Sequence, residues 1–235
     1  AWASVSHVAE TVDLGDCTSL YMDGDDDVVV PDSTDFVEAD RQLTIESWVK
    51  WDGHSGQPWY PVATQGWGDS AKARFFLAVS GTEGSDCSGV SGAGFLHLEI
   101  HTSFSTGICL SSVSTLTPGR WHHVSAVFEA GEARIYIDGV RENTGSRDDE
   151  TLHVATPSEV KIGRVDVGST YRFTGSMSNV RYSSIARYSD DFSPQWPLGS
   201  DSDTLGLWLL DDGSSTATDE SGNGNDGAVT GGSLV

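Results

Sequence analysis

The amino-acid sequence predicts an all-β fold, a two-sheet antiparallel β-sandwich, and three observations predict it. Short runs of alternating apolar and polar residues, each bounded by Gly, Ser, Asp or Pro, recur along the whole chain. Apolar residues at the 3.6-residue period of an amphipathic helix are hard to find. With 235 residues, the chain is long enough to bury roughly 70% of its unfolded surface, so two layers around a single core are affordable.

The elements follow in order. LTIESWVKW, from Leu43, puts Leu43, Ile45, Val49 and Trp51 on one face of a strand. RFFLAVSG, from Arg74, reads as another. GFLHLEIHTS sets Leu96, Leu98 and Ile100 on one face and Phe95, His97, Glu99 and His101 on the other. WHHVSAVFEAGEARIYIDG predicts a hairpin: a strand to Phe128, a Glu-Ala-Gly turn and a strand to Ile137, after which Asp138-Gly139 supplies a turn with positive φ. Val160 to Arg164, Ser176 to Tyr182 and Leu205 to Leu210 are further strands, and the Gly/Ser-rich piece from Ser80 to Gly94 is a loop or hairpin tip. No long linker, low-complexity tail or charge block divides the chain, so residues 1–235 are expected to form a single domain.

The formal net charge is −22 and the pI about 4.3, with lysine only at Lys50, Lys72 and Lys161. Such a surface repels nucleic acid and anionic lipid, which excludes both as favoured partners. It suits divalent cations or a salty medium, and solubility alone explains it equally well. No stretch approaches the ~20 apolar residues of a membrane span, so no membrane insertion is expected. Of three cysteines, Cys87 and Cys109 flank a predicted hairpin and are able to pair in an oxidising compartment, which leaves Cys17 free, buried or joined to another chain.

Several segments resemble the laminin-G-like, concanavalin A-like lectin family of jelly rolls. LYMDGDDDVVVPDS (Leu20 to Ser33), LTIESWVKW, GRWHHVSAVF with ARIYIDGV, and FTGSMSNVRYSSIARYSDDFSP are similar to family segments, in the family's order, from Leu20 to Pro194. LGLWLLDDGSSTATDESGNGNDGAV (Leu205 to Val229) also matches a family segment, one that in many members stands at the front of the domain. Residues 205–235 are therefore expected to close the sandwich at its edge; the other readings are a second repeat cut short, or strand exchange between chains. The resemblance implies a secreted or cell-surface binding module for carbohydrate, glycoconjugate or protein, and not an enzyme. A structural or adhesive protein that self-associates through edge strands is the alternative, and a polysaccharide-cleaving enzyme a third reading. The motif sets of sandwich-fold lyases and jelly-roll glucanases are not recognisable. Likeness to pentraxins is fainter, with Ser47 and Ser125 standing where their paired cysteines would be.

Three candidate sites emerge. Asp23-Gly24-Asp25-Asp26 and Asp219 to Asn225 match the family's calcium-binding positions, which implies a structural Ca²⁺ held by Asp23, Asp26, Asp219 and Asn225; turn chemistry without metal is the alternative. His97, Glu99 and His101, at strand spacing i, i+2 and i+4, suit a transition metal or acid–base chemistry on a sugar, or form an ordinary polar sheet face. The aromatic loop from Trp51 to Gly68 offers Trp59, Tyr60 and Trp67, with Asp69 beside it, for stacking on sugar rings, or staples a long loop to the sandwich. His122-His123, Trp48, Trp121 and Trp208 are expected to be structural.

Overall fold

The computed structural model describes residues 18–38, 41–53, 56–66, 74–81, 91–103, 106–148, 151–152, 158–167 and 169–235. In chain order these form β1 (Leu20–Met22), β2 (Asp27–Val30), the single helical turn α1 (Asp35–Glu38), β3 (Gln42–Trp51), β4 (Trp59–Gln65), β5 (Phe75–Ser80) and β6 (Phe95–Ser103). There follow β7 (Thr106–Thr115), β8 (Trp121–Glu129), β9 (Glu132–Ile137), β10 (Val140–Ser146), β11 (Val160–Ile162), β12 (Arg164–Val167) and β13 (Ser169–Arg172). The last are β14 (Gly175–Ser183), β15 (Thr204–Trp208), β16 (Thr216–Ala217), β17 (Gly227–Thr230) and β18 (Ser233–Leu234). The first sheet runs β10-β9-β8-β3-β14-β1-β18, with β15 also on β14. The second runs β16-β17-β2-β11-β4-β5-β6-β7, and β12–β13 is a separate hairpin. Every pairing is antiparallel.

The inward faces meet as the alternation predicts. Leu43, Ile45, Val49 and Trp51 of β3 and Leu96, Leu98 and Ile100 of β6 all belong to the core between the sheets. The β8–β9 turn uses Ala130 and Gly131 and the β9–β10 turn Asp138 and Gly139, all four at positive φ, the twist that two-residue hairpins favour. The predicted strand from Val160 breaks at Gly163, between β11 and β12.

Alternation does not foresee that the outer face of the first sheet is buried as well. Thr44, Glu46 and Trp48 point away from the core and are nevertheless buried. The segment 184–203 crosses that face as a strap. The Trp48 indole donates to the Gln195 carbonyl (3.0 Å) and Arg181 to the Gly199 carbonyl (2.7 Å). Beneath it, the fully buried Glu46 carboxylate accepts from Arg181 Nε and Nη2 (2.9 and 2.7 Å), His123 Nε2 (3.1 Å) and the Tyr188 hydroxyl (2.8 Å). Burial pushes the Glu46 carboxyl up, but these partners outweigh it and hold it below the usual carboxylate range. Gly139 lets the strap pass: a Cβ there would lie 1.9 Å from the Phe192 carbonyl oxygen. His122 has a structural part, accepting from Thr117 N at Nε2 (3.0 Å) and bonding Asp138 through Nδ1 (2.8 Å).

Residues 204–235 contribute to both sheets: β15 pairs with β14, β16–β17 extend the second sheet beyond β2, and β18 pairs with β1. Ser19 and Val235 exchange two backbone hydrogen bonds (3.2 and 3.1 Å), so the described start and end of the chain lie side by side. At the opposite edge, β10 caps β7 with side chains. Glu142 accepts from Val113 N and Ser114 N (3.0 and 2.7 Å), and Asn143 donates to the Ser111 carbonyl (2.8 Å). These contacts occupy edge groups that would otherwise template another strand.

Candidate functional site

On the outer face of the second sheet, two groups that are far apart in sequence come together. His97 on β6 lies opposite Ala78 on β5, whose small side chain leaves room for the Trp59 ring of β4 to reach across. The Trp59 and His97 ring centres are 4.6 Å apart, and Phe76 packs edge-on against Trp59 at 5.4 Å. The β12–β13 hairpin brings Val165 and Tyr171 onto the same patch, forming a second, smaller apolar cluster. His97 is consequently fully buried although it points away from the main core. Its Nδ1 meets Ser111 Oγ of β7 at 3.0 Å and its Nε2 meets Glu99 Oε1 at 3.2 Å. Ser111, His97 and Glu99 thus form a chain from inside the cluster to the surface, where the Glu99 side chain is 27% exposed. Beside it opens a cavity of about 710 Å³, lined in part by Glu99, His101, Ile108, Cys109, Arg147 and Asp148.

Three expectations need correction. Tyr60 does not share a face with Trp59. Consecutive strand residues point oppositely, and Tyr60 is fully buried in the main core, edge-on to Trp51 at 5.4 Å. The grouping of His97, Glu99 and His101 is replaced by His97, Glu99 and Cys109, whose ligand atoms lie within 4.8 Å of one another. Glu99 and Cys109 are paired across the β6–β7 ladder. His97 and His101, by contrast, stand four positions apart on β6, roughly 13 Å along the strand, too far for both to hold one ion with Glu99. Cys109 is disulfide-bonded, with its partner outside the described residues. Cys17, Cys87, Trp67 and Asp69 also lie outside them.

The third correction concerns the acidic loops, which do not join into one four-residue set. Asp23, Asp25 and Asp26 bring carboxylate oxygens within 4.8 Å of one another at the β1–β2 turn. Asp219 is not in that group. Its carboxylate accepts from Leu207 N, Ser221 N, Ser221 Oγ and Asn225 N (2.8–3.0 Å), which is turn chemistry. The Asn225 side-chain amide donates to Asp35 and to the Leu205 carbonyl (3.1 and 2.9 Å), and the Asn225 backbone carbonyl accepts from the Trp208 indole (2.9 Å). In the Asp23 cluster, a hydrogen bond with Asp23 and the like charges of Asp23 and Asp26 hold the Asp25 carboxyl above its usual value.

Ser111 was not singled out from sequence, and Cys109 only as a partner for a disulfide. Only the β6–β7 register places them opposite His97 and Glu99, and that register shifts at an irregularity between Phe95 and His97. The sandwich and its ordered motifs agree with a comparison at the family level: residues 22–193 match the model of the concanavalin A-like lectin/glucanases superfamily. The chain belongs to this superfamily. Within it, the chain resembles a candidate carbohydrate-binding protein from Bacteroides ovatus, at 18% identity and a TM-score of 0.71, covering 93% of this chain and 59% of that longer one. The CBM40 of the Ruminococcus gnavus IT-sialidase, bound to α2,3-sialyllactose, matches at 16% identity and a TM-score of 0.55, covering 74% of this chain and 92% of that one. The heptameric SAP-like pentraxin of Limulus polyphemus matches at 16% identity and a TM-score of 0.52, covering 73% and 77%. At these identities the likeness shows the fold. No curated protein matches the chain in sequence. Among the described residues, no helix is long and apolar enough to cross a membrane.

Proposed function

We propose that this chain is an extracellular module that binds carbohydrate without cleaving it, using the outer face of its second sheet, and that calcium stabilises its β1–β2 turn. The observation that carries the reading is the Ser111–His97–Glu99 chain abutting Trp59. A half-buried indole offers an apolar surface to a sugar ring, and a carboxylate held from behind accepts sugar hydroxyls without first losing its own freedom. The adjoining cavity has room for a sugar unit or two, and His101, Arg147 and Asp148 supply further polar groups. A net charge of −22 disfavours polyanionic glycans and favours neutral or amino sugars. The fold likeness to carbohydrate-binding proteins supports the same reading.

For calcium, the donor chemistry fits at Asp23, Asp25 and Asp26. These are three crowded carboxylates, one with a raised pKa, whose mutual repulsion a divalent cation relieves. The test of the main reading is a glycan array followed by calorimetry with the best ligand. Glu99→Gln should weaken binding at least about tenfold with the melting temperature retained, Trp59→Ala should do so in a protein that still folds though it melts lower for the lost packing, and the glycan should be recovered intact. Unchanged affinity in both folded variants would remove this face from the function.

A further inference from the structure

Cys109 stands in a constellation that its disulfide keeps from acting. Its sulfur, a His97 ring nitrogen and a Glu99 carboxylate oxygen lie within 4.8 Å of one another, the spread available to ligands of one metal ion, and the ring nitrogen on the Glu99 side is Nε2, 3.2 Å from Oε1. His97 is fully buried and its other ring nitrogen is held by Ser111 Oγ at 3.0 Å. That hydroxyl both donates and accepts, so it can take a proton from Nδ1–H and leave the Nε2 lone pair for a metal, the arrangement typical of metal-bound histidine. Glu99 and Cys109 line the cavity that opens to solvent, which provides an entry path. In the present state the Cys109 sulfur is bonded to another sulfur and supplies no thiolate.

We propose that this is a redox-gated zinc site: reduction of the Cys109 disulfide creates a Cys–His–Glu set that binds Zn²⁺, with a fourth position open to water. Two molecules of a small thiol supply the electrons. They cleave the S–S bond, each protein sulfur ends as a thiol, and the reductant leaves as its own disulfide. Zinc then displaces the Cys109 proton, which passes to solvent. Sulfur, nitrogen and oxygen donors together suit Zn²⁺ or Co²⁺ rather than Ca²⁺ or Mg²⁺, which take oxygen alone. The inference does not rest on the carbohydrate reading. Where both hold, zinc and glycan compete for Glu99.

Cobalt(II) reports the ligands. Protein reduced with a phosphine and freed of reductant under nitrogen should bind a single Co²⁺ per chain, showing a sulfur-to-cobalt charge-transfer band and the visible bands of a tetrahedral ion. Zn²⁺ should bleach both, and untreated protein should show neither. The Cys17→Ser/Cys87→Ser double variant leaves Cys109 as the sole thiol and should bind without reductant; adding Cys109→Ser should abolish the charge-transfer band. Ser111→Ala should weaken zinc binding about tenfold or more, as loss of a supporting hydrogen bond does. A band that persists after Cys109→Ser, equal uptake by oxidised and reduced protein, or no uptake by reduced protein that keeps its native circular dichroism would each overturn the proposal. If the double variant fails to fold, reduced wild type against reduced Cys109→Ser still decides.

Discussion

Glu46→Ala is expected to be among the most damaging single substitutions in the chain. The side chain is fully buried and accepts four hydrogen bonds: Arg181 Nε and Nη2, His123 Nε2 and the Tyr188 hydroxyl. Removing it leaves the Arg181 guanidinium, 7% exposed, with the Gly199 carbonyl and a long contact to Tyr188 but no counter-charge. Breaking a buried pair in this way costs about 3–5 kcal/mol. For a domain of this size that lowers the melting temperature by roughly 6–20 °C. Urea unfolding followed by circular dichroism at neutral pH measures it, and adding Arg181→Met should recover part of the loss because the orphaned charge is gone. The pH dependence has a defined sign. Glu46 lies below its ordinary value of 4.5 in the folded state, so its stabilisation is fully present above pH 4.5 and disappears as pH falls through the lower folded value. Glu46→Gln should flatten that part of the acid-unfolding curve. A loss under about 1 kcal/mol for Glu46→Ala, with an unchanged acid slope, would refute the claim that this network pins the strap.

Three further outcomes are expected. Calcium at a hundred times its dissociation constant should stabilise the fold by about 2.7 kcal/mol, or roughly 5–11 °C; EDTA should reverse it, and a melting temperature indifferent to both would eliminate the ion at Asp23, Asp25 and Asp26. Gly139→Ala should destabilise more than Gly119→Ala: both glycines have φ near +75°, yet only at Gly139 does a Cβ collide with backbone, and equal losses would show that the strap yields freely. Glu142→Ala uncovers Val113 N and Ser114 N on the β7 edge, beside a Val113 that is 78% exposed, so light scattering should detect concentration-dependent association that wild type lacks.

The sheets were legible in sequence because alternation and turn chemistry act locally. Leu43, Ile45, Val49 and Trp51 reach the core through period-two patterning, and Asp138-Gly139 turns because its backbone adopts positive φ. What failed to show was anything set by a third layer. Trp48 is expected to be structural, but nothing local marks Thr44 and Glu46 for burial, and only the strap, about 140 residues later, covers them. His97 read as exposed for the same reason, since its cover comes from Trp59 and the β12–β13 hairpin. Tyr60 is a different case: Trp51 to Gly68 reads as a loop, whereas Trp59–Gln65 is a strand, in which a Trp59 that points outward sends Tyr60 inward. Asp219 and Asn225 belong to a pattern that serves calcium or a tight turn equally, and the hydrogen bonds around Asp219 are those of the turn.

The two outer faces are covered by different devices, and the difference bears on where a ligand can sit. The first sheet is crossed from Ser184 to Asp203 by a strap held with charge-assisted bonds: Arg187 reaches both oxygens of Asp201 (2.8 and 2.7 Å), and Arg141 reaches the Ser189 carbonyl (2.9 Å). Displacing it would expose the Glu46 charge network, at a cost of several kcal/mol. The second sheet is covered locally by an apolar patch of Val165, Phe76 and Ala78 with Trp59 and Tyr171, and polar groups emerge directly beside it at Glu99 and His101. Binding there requires no bolted segment to move. An aromatic surface next to a held carboxylate, at the end of a sheet whose β7 edge is capped by β10, combines rigidity behind the site with access in front of it. That combination, more than the fold, is the ground for proposing β4, β6 and β7 as the ligand-binding face.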